Sequence, residues 1–332
     1  DPTRPADWNV ILGKKRADVM DKVTFANDVT PSSRKAQANA FNRMLHPKPA
    51  ERLSKCRVPR RAWAPKVTFE ELKTAVRRLR RRRAPGRDGL HNEFLIHLHR
   101  GGPAWQMLFD VVNFAVRWGV LPTSLKETVT VWLPKPGKPP ALATSYRPIG
   151  LTSVVAKVTE KVILARLAYR ERFCGMQFGF QSGKRAEDAV ALMADANARA
   201  TATTYAAEIP RGDGNGTTIH HRSCRAGIAF FDLTSAYDNV VTDVLLQKMR
   251  RRGIEAYVIR FFADFLRGRR VWSSVAGVLS DSVVQTRGLV QGAASSPILW
   301  LIYIDDAVER MNGRGDFKTY AFACDLTSHS AP

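Results

Sequence analysis

The chain is short of cysteine, of acid and of long apolar runs, and each shortage closes off a class of protein. Cysteine occurs 4 times in 332 residues, at Cys56, Cys174, Cys224 and Cys324, with no close pair. That spacing argues against a disulfide framework or a closed zinc site, and it predicts reduced thiols in the nucleus or cytoplasm. No apolar run reaches the roughly 18 residues of a membrane-spanning helix, and no signal peptide opens the sequence. No segment repeats. Asp and Glu number 30 against 52 Lys and Arg, a net charge of +22. The chain is nonetheless 45% hydrophobic, with 7 Trp and 16 Phe, enough for a substantial core. Such an excess of base on a globular composition predicts a polyanionic partner, most simply nucleic acid. The first residue is Asp, which reads as a segment of something longer.

Residues 1–66 mix a small apolar knot at Trp8, Val10, Ile11 and Leu12 with polar and basic stretches, and read as a helical linker. Order begins at Val67. Thr68-Phe69-Glu70-Glu71 is a capping box, and Leu72, Val76 and Leu79 make the buried stripe of the helix it opens. Six arginines (Arg77, Arg78, Arg80, Arg81, Arg82 and Arg83) ride on that predicted helix before Pro85-Gly86-Arg87-Asp88-Gly89. They read either as a solvated face or as a phosphate-contacting end, since the glycine loop would expose backbone amides. Pro103 to Arg117 is an amphipathic helix closed by Gly119. Val129–Leu133, a basic turn at Lys135 and Lys138, and Ser145–Ile149 read as a hairpin. Thr152 is placed to cap a helix reaching Leu167. Residues 202–226, with His220, His221 and Cys224, read as a polar surface insertion, because their spacing matches no closed metal site.

Ile228-Ala229-Phe230-Phe231 runs straight into Asp232, and Asp238 follows after Ala236 and Tyr237. A short apolar run between turn residues predicts a buried strand. Asp232 at its end is either a helix cap or a metal ligand, since burying a lone carboxylate is costly. Helices are predicted at 242–252 and 255–266, an alternating hairpin at 271–286, and a further helix from Pro297 with Ser296 as its cap.

Five blocks in order resemble the reverse transcriptase domain of LINE-type, non-LTR retrotransposons. They are Arg83–Leu90 with Glu93; Leu133–Lys138 through Ser145–Ile149; Gln177-Phe178-Gly179-Phe180; Phe231-Asp232-Leu233 with Ala236-Tyr237-Asp238; and Gln291-Gly292 with Ser296-Pro297. Within that class the chain is similar to trypanosomatid ingi-type elements. The resemblance covers about residues 67–326. It implies an α+β, right-hand polymerase with antiparallel sheet and packed helices: residues 1–66 a linker or N-terminal extension, 67–226 fingers, and 227–332 a palm left incomplete, with no thumb. It implies an RNA-directed DNA polymerase that joins deoxynucleotides to a primer 3′-hydroxyl through a two-metal site holding Mg2+ or Mn2+. RNA template, DNA primer and deoxynucleoside triphosphates would be its partners, with an endonuclease upstream in the parent polyprotein. By the same resemblance Asp232 is a catalytic metal ligand. Tyr237 gates the ribose, Gln291 and Gly292 line the nucleotide, and Lys135 and Arg147 approach triphosphate and template. Arg81, Arg82, Arg83 and Arg87 contact nucleic acid.

The family's other metal block is an aromatic, a variable residue and two Asp at a hairpin turn. Tyr303-Ile304-Asp305-Asp306 fits the string, yet it lies inside the predicted helix, where neighbouring side chains project about 100° apart. Phe322-Ala323-Cys324-Asp325 occupies the expected place, with Asp325 as ligand and Cys324 where the first Asp belongs. A thiol suits a hard ion poorly, so metal binding should be weakened. Val290 and Gln181 also depart from the family pattern. Leu326–Pro332 reads as a poor strand, so the return strand of that hairpin is expected to be missing and the copy degenerate.

Overall fold

A computed structural model describes residues 23–25, 30–46, 56–58, 63–168, 173–202, 204–210, 217–223, 227–313 and 317–330. The apolar knot at 8–12 and Cys224 lie outside them. Helix α1 (Arg34–Leu45) starts where the Ser33 hydroxyl accepts the Ala36 N–H. Helix α2 (Phe69–Arg77) opens with the expected capping box: Thr68 accepts the Glu71 N–H and Glu71 accepts the Thr68 N–H. It stops at Arg77, earlier than the apolar pattern suggests. Arg82 adopts φ 54, and its N–H and the Arg80 carbonyl bond to Glu93 and Asn92, so arginines 78–83 form a loop rather than a helical face. Next come α3 (Asn92–His97) and α4 (Pro103–Trp118), the latter begun by Pro103 and ended by Gly119 at φ 59.

Strands β1 (Thr128–Pro134) and β2 (Tyr146–Thr152) form the predicted antiparallel hairpin. Helix α5 (Val154–Ala168) follows, and Ser153, not Thr152, accepts the Val155 N–H at its start. Thr152 is still in the strand. Then come α6 (Ala186–Ala202), the two-stranded ribbon β3 (Thr204–Pro210) and β4 (Thr217–Ser223), and β5 (Ile228–Asp232). Helices α7 (Thr242–Arg251) and α8 (Ala256–Leu266) precede β6 (Arg270–Val275), β7 (Val278–Leu279) and β8 (Val283–Val284). Helix α9 (Ser296–Asn312) and the hairpin β9 (Phe317–Phe322) and β10 (Asp325–Ser330) complete the described chain. No helix among the described residues is long and apolar enough to cross a membrane.

The chain divides into two compact units, Asp1–Glu171 with Tyr237–Ser296, and Arg172–Ala236 with Pro297–Pro332. The first holds a sheet ordered β2-β1-β6-β7, with β8 also on β6. It is mixed rather than purely antiparallel, because β1 and β6 run parallel. Helix α1 packs on it through Phe41, fully buried and stacked on Trp132 at 4.3 Å, with Tyr146 edge-on at 5.8 Å. Burying one such aromatic contributes roughly 1.5–3 kcal/mol. The expected linker region thus also supplies core. Helix α8 is apolar nearly all round and correspondingly buried, from Tyr257 to Leu266.

The second unit holds the sheet β5-β10-β9. Two expectations fail here. Strand β10 exists, pairing with β9 on one side and β5 on the other, so the return strand is present despite its polar sequence. Ladder bonds on both flanks, Leu326 in the core and a 2.8 Å bond between the Thr319 and Ser328 hydroxyls outweigh weak strand propensity. Strand β5, predicted to be buried, is exposed along its whole length; Phe230 is 76% accessible. It is the edge of the sheet, and the unit's apolar clusters form instead from Val308, Ala321 and Leu326, with Leu233, Ile304 and Met311 packed against them, and from Phe178, Ala189 and Tyr320.

Candidate functional site

The site is built on the pairing of β5 with β10. Antiparallel register sets Asp232, the last residue of β5, directly opposite Asp325, the first of β10. Asp325 is also paired with Phe322, which leaves Ala323 and Cys324 as a two-residue turn. Ala323 takes φ 56, the left-handed backbone such tight turns demand. Cys324 is thereby carried to the carboxylates: the ligand atoms of Asp232, Cys324 and Asp325 all lie within 4.8 Å of one another. Both carboxylates are exposed and the thiol is half-buried. Among the described residues no other group of three or more His, Cys, Asp and Glu side chains is close enough to share an ion.

The turn is held from several directions. The indole N–H of Trp300 donates to the Ala323 carbonyl at 2.8 Å, and the Leu233 N–H donates to that of Cys324 at 3.1 Å. The Gln177–Phe180 block packs against the same hairpin. Phe178 N–H donates to Ala321 O at 2.7 Å, and Ala321 N–H donates to Met176 O at 2.9 Å. A Cβ at Gly179 would lie 2.3 Å from the Ala323 nitrogen, so glycine is required there by the approach of the turn.

Asp305 is in a different setting. It sits inside α9, fully buried, and its carboxylate accepts the Cys174 N–H at 3.0 Å. Its job is to satisfy a backbone donor and hold the 174 segment on the helix. It is not in the Asp232 cluster.

The other expected site residues lie in the first unit. Gln291, Gly292 and Tyr237 are tied together there through backbone: Gly150 N–H donates to Gln291 O at 2.6 Å, and Leu289 N–H donates to Tyr237 O at 2.8 Å. Gly292 has φ +126, and a Cβ there would fall 2.4 Å from the Gly150 oxygen. Lys135 hangs from the β1–β2 loop, its ammonium on Thr144 O at 2.9 Å, and Arg147 is exposed on β2. Arg81, Arg82 and Arg83 are exposed. Arg87 is exposed but engaged, in an ion pair with Glu127 at 2.9 Å and over the Trp272 ring at 4.0 Å.

Two acids have roles that the sequence did not assign. Asp238 accepts from the Gln291 side chain at 3.3 Å. Burial pushes its carboxyl up to about 6, against the opposing pull of that bond, Arg287 and Lys135. Glu160, fully buried, accepts both the N–H and the hydroxyl of Ser295, at 2.8 and 2.5 Å, and so braces the loop that follows Gln291. Burial raises its carboxyl as well. Helical period gave no hint of this, because Glu160 stands two residues from Val158 and from Val162, about 200° away from the face they mark.

Chemically, the cluster can hold a divalent cation: it offers two carboxylates and a sulfur to a single point. Magnesium demands oxygen ligands in near-ideal octahedral geometry. The donor set here does not fit a magnesium pair, because one of its three positions is a thiol.

Comparison with known proteins bears on the same segments. Residues 133–331 match the family described as reverse transcriptase (RNA-dependent DNA polymerase). The chain is 29% identical over 262 residues, 77% of its length, to the 115 kDa protein of the type-1 retrotransposable element R1DM of Drosophila melanogaster, covering 23% of that protein. It is 27% identical over 242 residues, 72% of its length, to the RNA-directed DNA polymerase from mobile element jockey of Drosophila funebris, covering 24% of it. Over 133 residues, 38% of the chain, it is 35% identical to the retrotransposable element SLACS 132 kDa protein of Trypanosoma brucei gambiense, covering 10% of it. The chain spans about a quarter of the length of the first two relatives.

Proposed function

This chain belongs to the reverse transcriptase family, and on that premise we propose that it is the RNA-directed DNA polymerase domain of a non-LTR retrotransposon, in a copy whose magnesium-dependent synthesis is impaired. The observation that carries this reading is the meeting of Asp232 and Asp325 across β5 and β10 with Cys324 between them. The carboxylates stand where the family's chemistry needs charge, and the sulfur stands where that charge is reduced by one.

In this reading residues 67–226 serve as fingers and 227–332 as palm, acting in the nucleus or cytoplasm as part of a longer polyprotein. Arg81, Arg82 and Arg83 bind template phosphates, and the net charge of +22 draws in the RNA–DNA duplex. Lys135 and Arg147 meet the triphosphate and template. Tyr237 packs where a ribose 2′-hydroxyl would intrude and so favours deoxynucleotides. Gln291 and Gly292 line the incoming nucleotide, with Asp238 orienting the Gln291 amide and Glu160 steadying the loop behind it. A catalytically dead RNA-binding remnant is the second reading, favoured by Cys324 itself.

Primer extension on an RNA template with deoxynucleotides and magnesium tests both. The expected result is tight RNA binding that falls steeply with salt, feeble extension, and extension gained with Cys324→Asp and abolished by adding Asp232→Ala to that variant. Binding without synthesis even after Cys324→Asp would favour the remnant. Absence of RNA binding, or extension that depends on Asp305 and not on Asp232, would overturn the proposal.

A further inference from the structure

We propose that Asp232, Cys324 and Asp325 form a site for one thiophilic divalent ion of the zinc class. The inference rests on the polymerase reading for its premise that a divalent cation visits this turn, and it departs from the family in which cation the turn selects.

Three observations carry it. The first is geometry. Donors about 2.0–2.3 Å from a common ion stand no more than about 4.5 Å apart. The three ligand atoms already lie within 4.8 Å of one another, so small side-chain rotations close the site around one centre. The second is the donor set. Sulfur and two carboxylate oxygens suit a borderline ion such as zinc, while magnesium gains little from sulfur and retains its waters. Three protein ligands leave a fourth position open to solvent. The third is support. The backbone carrying Cys324 is fixed by Trp300, by Leu233 and by the close approach of Gly179, and Asp232 is fixed by its ladder partner Asp325. The ligands are arranged by the fold itself and remain accessible for an ion to enter.

Binding exchanges the S–H bond of Cys324 for a sulfur–metal bond. The proton passes to solvent, and neither metal nor sulfur changes oxidation state. Two carboxylates and a thiolate then face the two positive charges of the ion.

Cobalt(II) is the probe, because a thiolate ligand gives it a sulfur-to-cobalt charge-transfer absorption that carboxylates do not. The full chain should bind one equivalent with that absorption, release it to stoichiometric zinc and keep it in a large excess of magnesium. Cys324→Ser should abolish the band and lower zinc affinity by at least about 100-fold, the upper end of what loss of even an outer-shell partner costs. Asp232→Asn should weaken binding while leaving a sulfur-bound band, and replacing Cys56, Cys174 and Cys224 together by Ser should leave it intact. Circular dichroism checks that each variant remains folded. A band that survives Cys324→Ser, that vanishes with the other three cysteines, or that magnesium displaces would overturn the inference. Primer extension is read separately. Cobalt bound through Cys324 in a chain that never extends a primer, even as Cys324→Asp, would sink the polymerase reading alone. Robust magnesium-dependent extension with no cobalt band would sink this inference alone.

Discussion

Two stretches of the second unit open on an aromatic residue, close three positions later on Asp, and end in opposite environments. Tyr303-Ile304-Asp305-Asp306 lies within a helix, Phe322-Ala323-Cys324-Asp325 at a hairpin turn. On the helix, Asp305 is sealed from solvent and its carboxylate is committed to the Cys174 N–H. At the hairpin, Asp325 is exposed and a ladder bond partner of Asp232. Helical neighbours diverge by about 100°, whereas antiparallel strands set residues face to face at about 4.5–5.5 Å. The backbone around a carboxylate, more than the letters flanking it, settles whether it braces a fold or stands exposed beside a second carboxylate.

The sharpest way to break this contrast is to delete each carboxylate. Asp305→Ala should cost about 2–3 kcal/mol in urea unfolding, because it removes a fully buried carboxylate and leaves the part-buried Cys174 N–H without that acceptor. Asp325→Ala should change stability by no more than about 0.5 kcal/mol, as exposed sites generally do, while cobalt binding is weakened. Equal losses would erase the distinction. Gly179→Ala probes what fixes the hairpin. Its new Cβ would sit 2.3 Å from the Ala323 nitrogen. A loss of about 2 kcal/mol is expected from such overpacking, with the cobalt absorption altered; an unchanged spectrum would show that the turn does not depend on this contact.

Asp238 extends the comparison to a half-buried acid in the other unit. Its carboxyl rises from 3.8 to about 6 on folding. The folded state therefore holds a proton that the unfolded chain has released, and stability falls as pH rises across that window. After allowance for partial exposure the fall should be about 1 kcal/mol between about pH 4 and pH 7. Comparing Asp238→Asn with the parent by urea midpoints at both ends isolates it; identical slopes would place Asp238 in water. The smallest effect is expected at Phe230→Ala. Despite its place in the apolar run before Asp232, its 76% exposure predicts a change under about 0.5 kcal/mol. A larger loss would mean that β5 is covered in solution.

Much of this was legible in the sequence. The capping box at Thr68, the Pro103–Gly119 helix and the β1–β2 hairpin follow from local chemistry acting over a few residues. The choice of Asp325 over Asp305 as partner of Asp232 was legible too, because helical periodicity around Asp305 is strong. The misses share a cause. Strand β10 is polar and held by neighbours on both sides; β5 is apolar and left at an edge. The arginine loop is bent by bonds to Glu93 and Asn92, residues eleven and twelve positions away. Each depends on partners that propensity within a short window does not include.

By itself the sequence determined the family, the mixed α+β class and the basic character, since ordered motifs and composition need no partner to be read. Only the tertiary structure decided that Cys324 reaches the two carboxylates and that Gly179 must be bare to let the turn approach. It also decided that Asp238, which a motif contains without a role, and Glu160, which no motif contains, bond to the Gln291 segment. Those facts arise from contacts between segments far apart in the chain, and register, burial and close approach are properties of the assembled pair rather than of either strand alone.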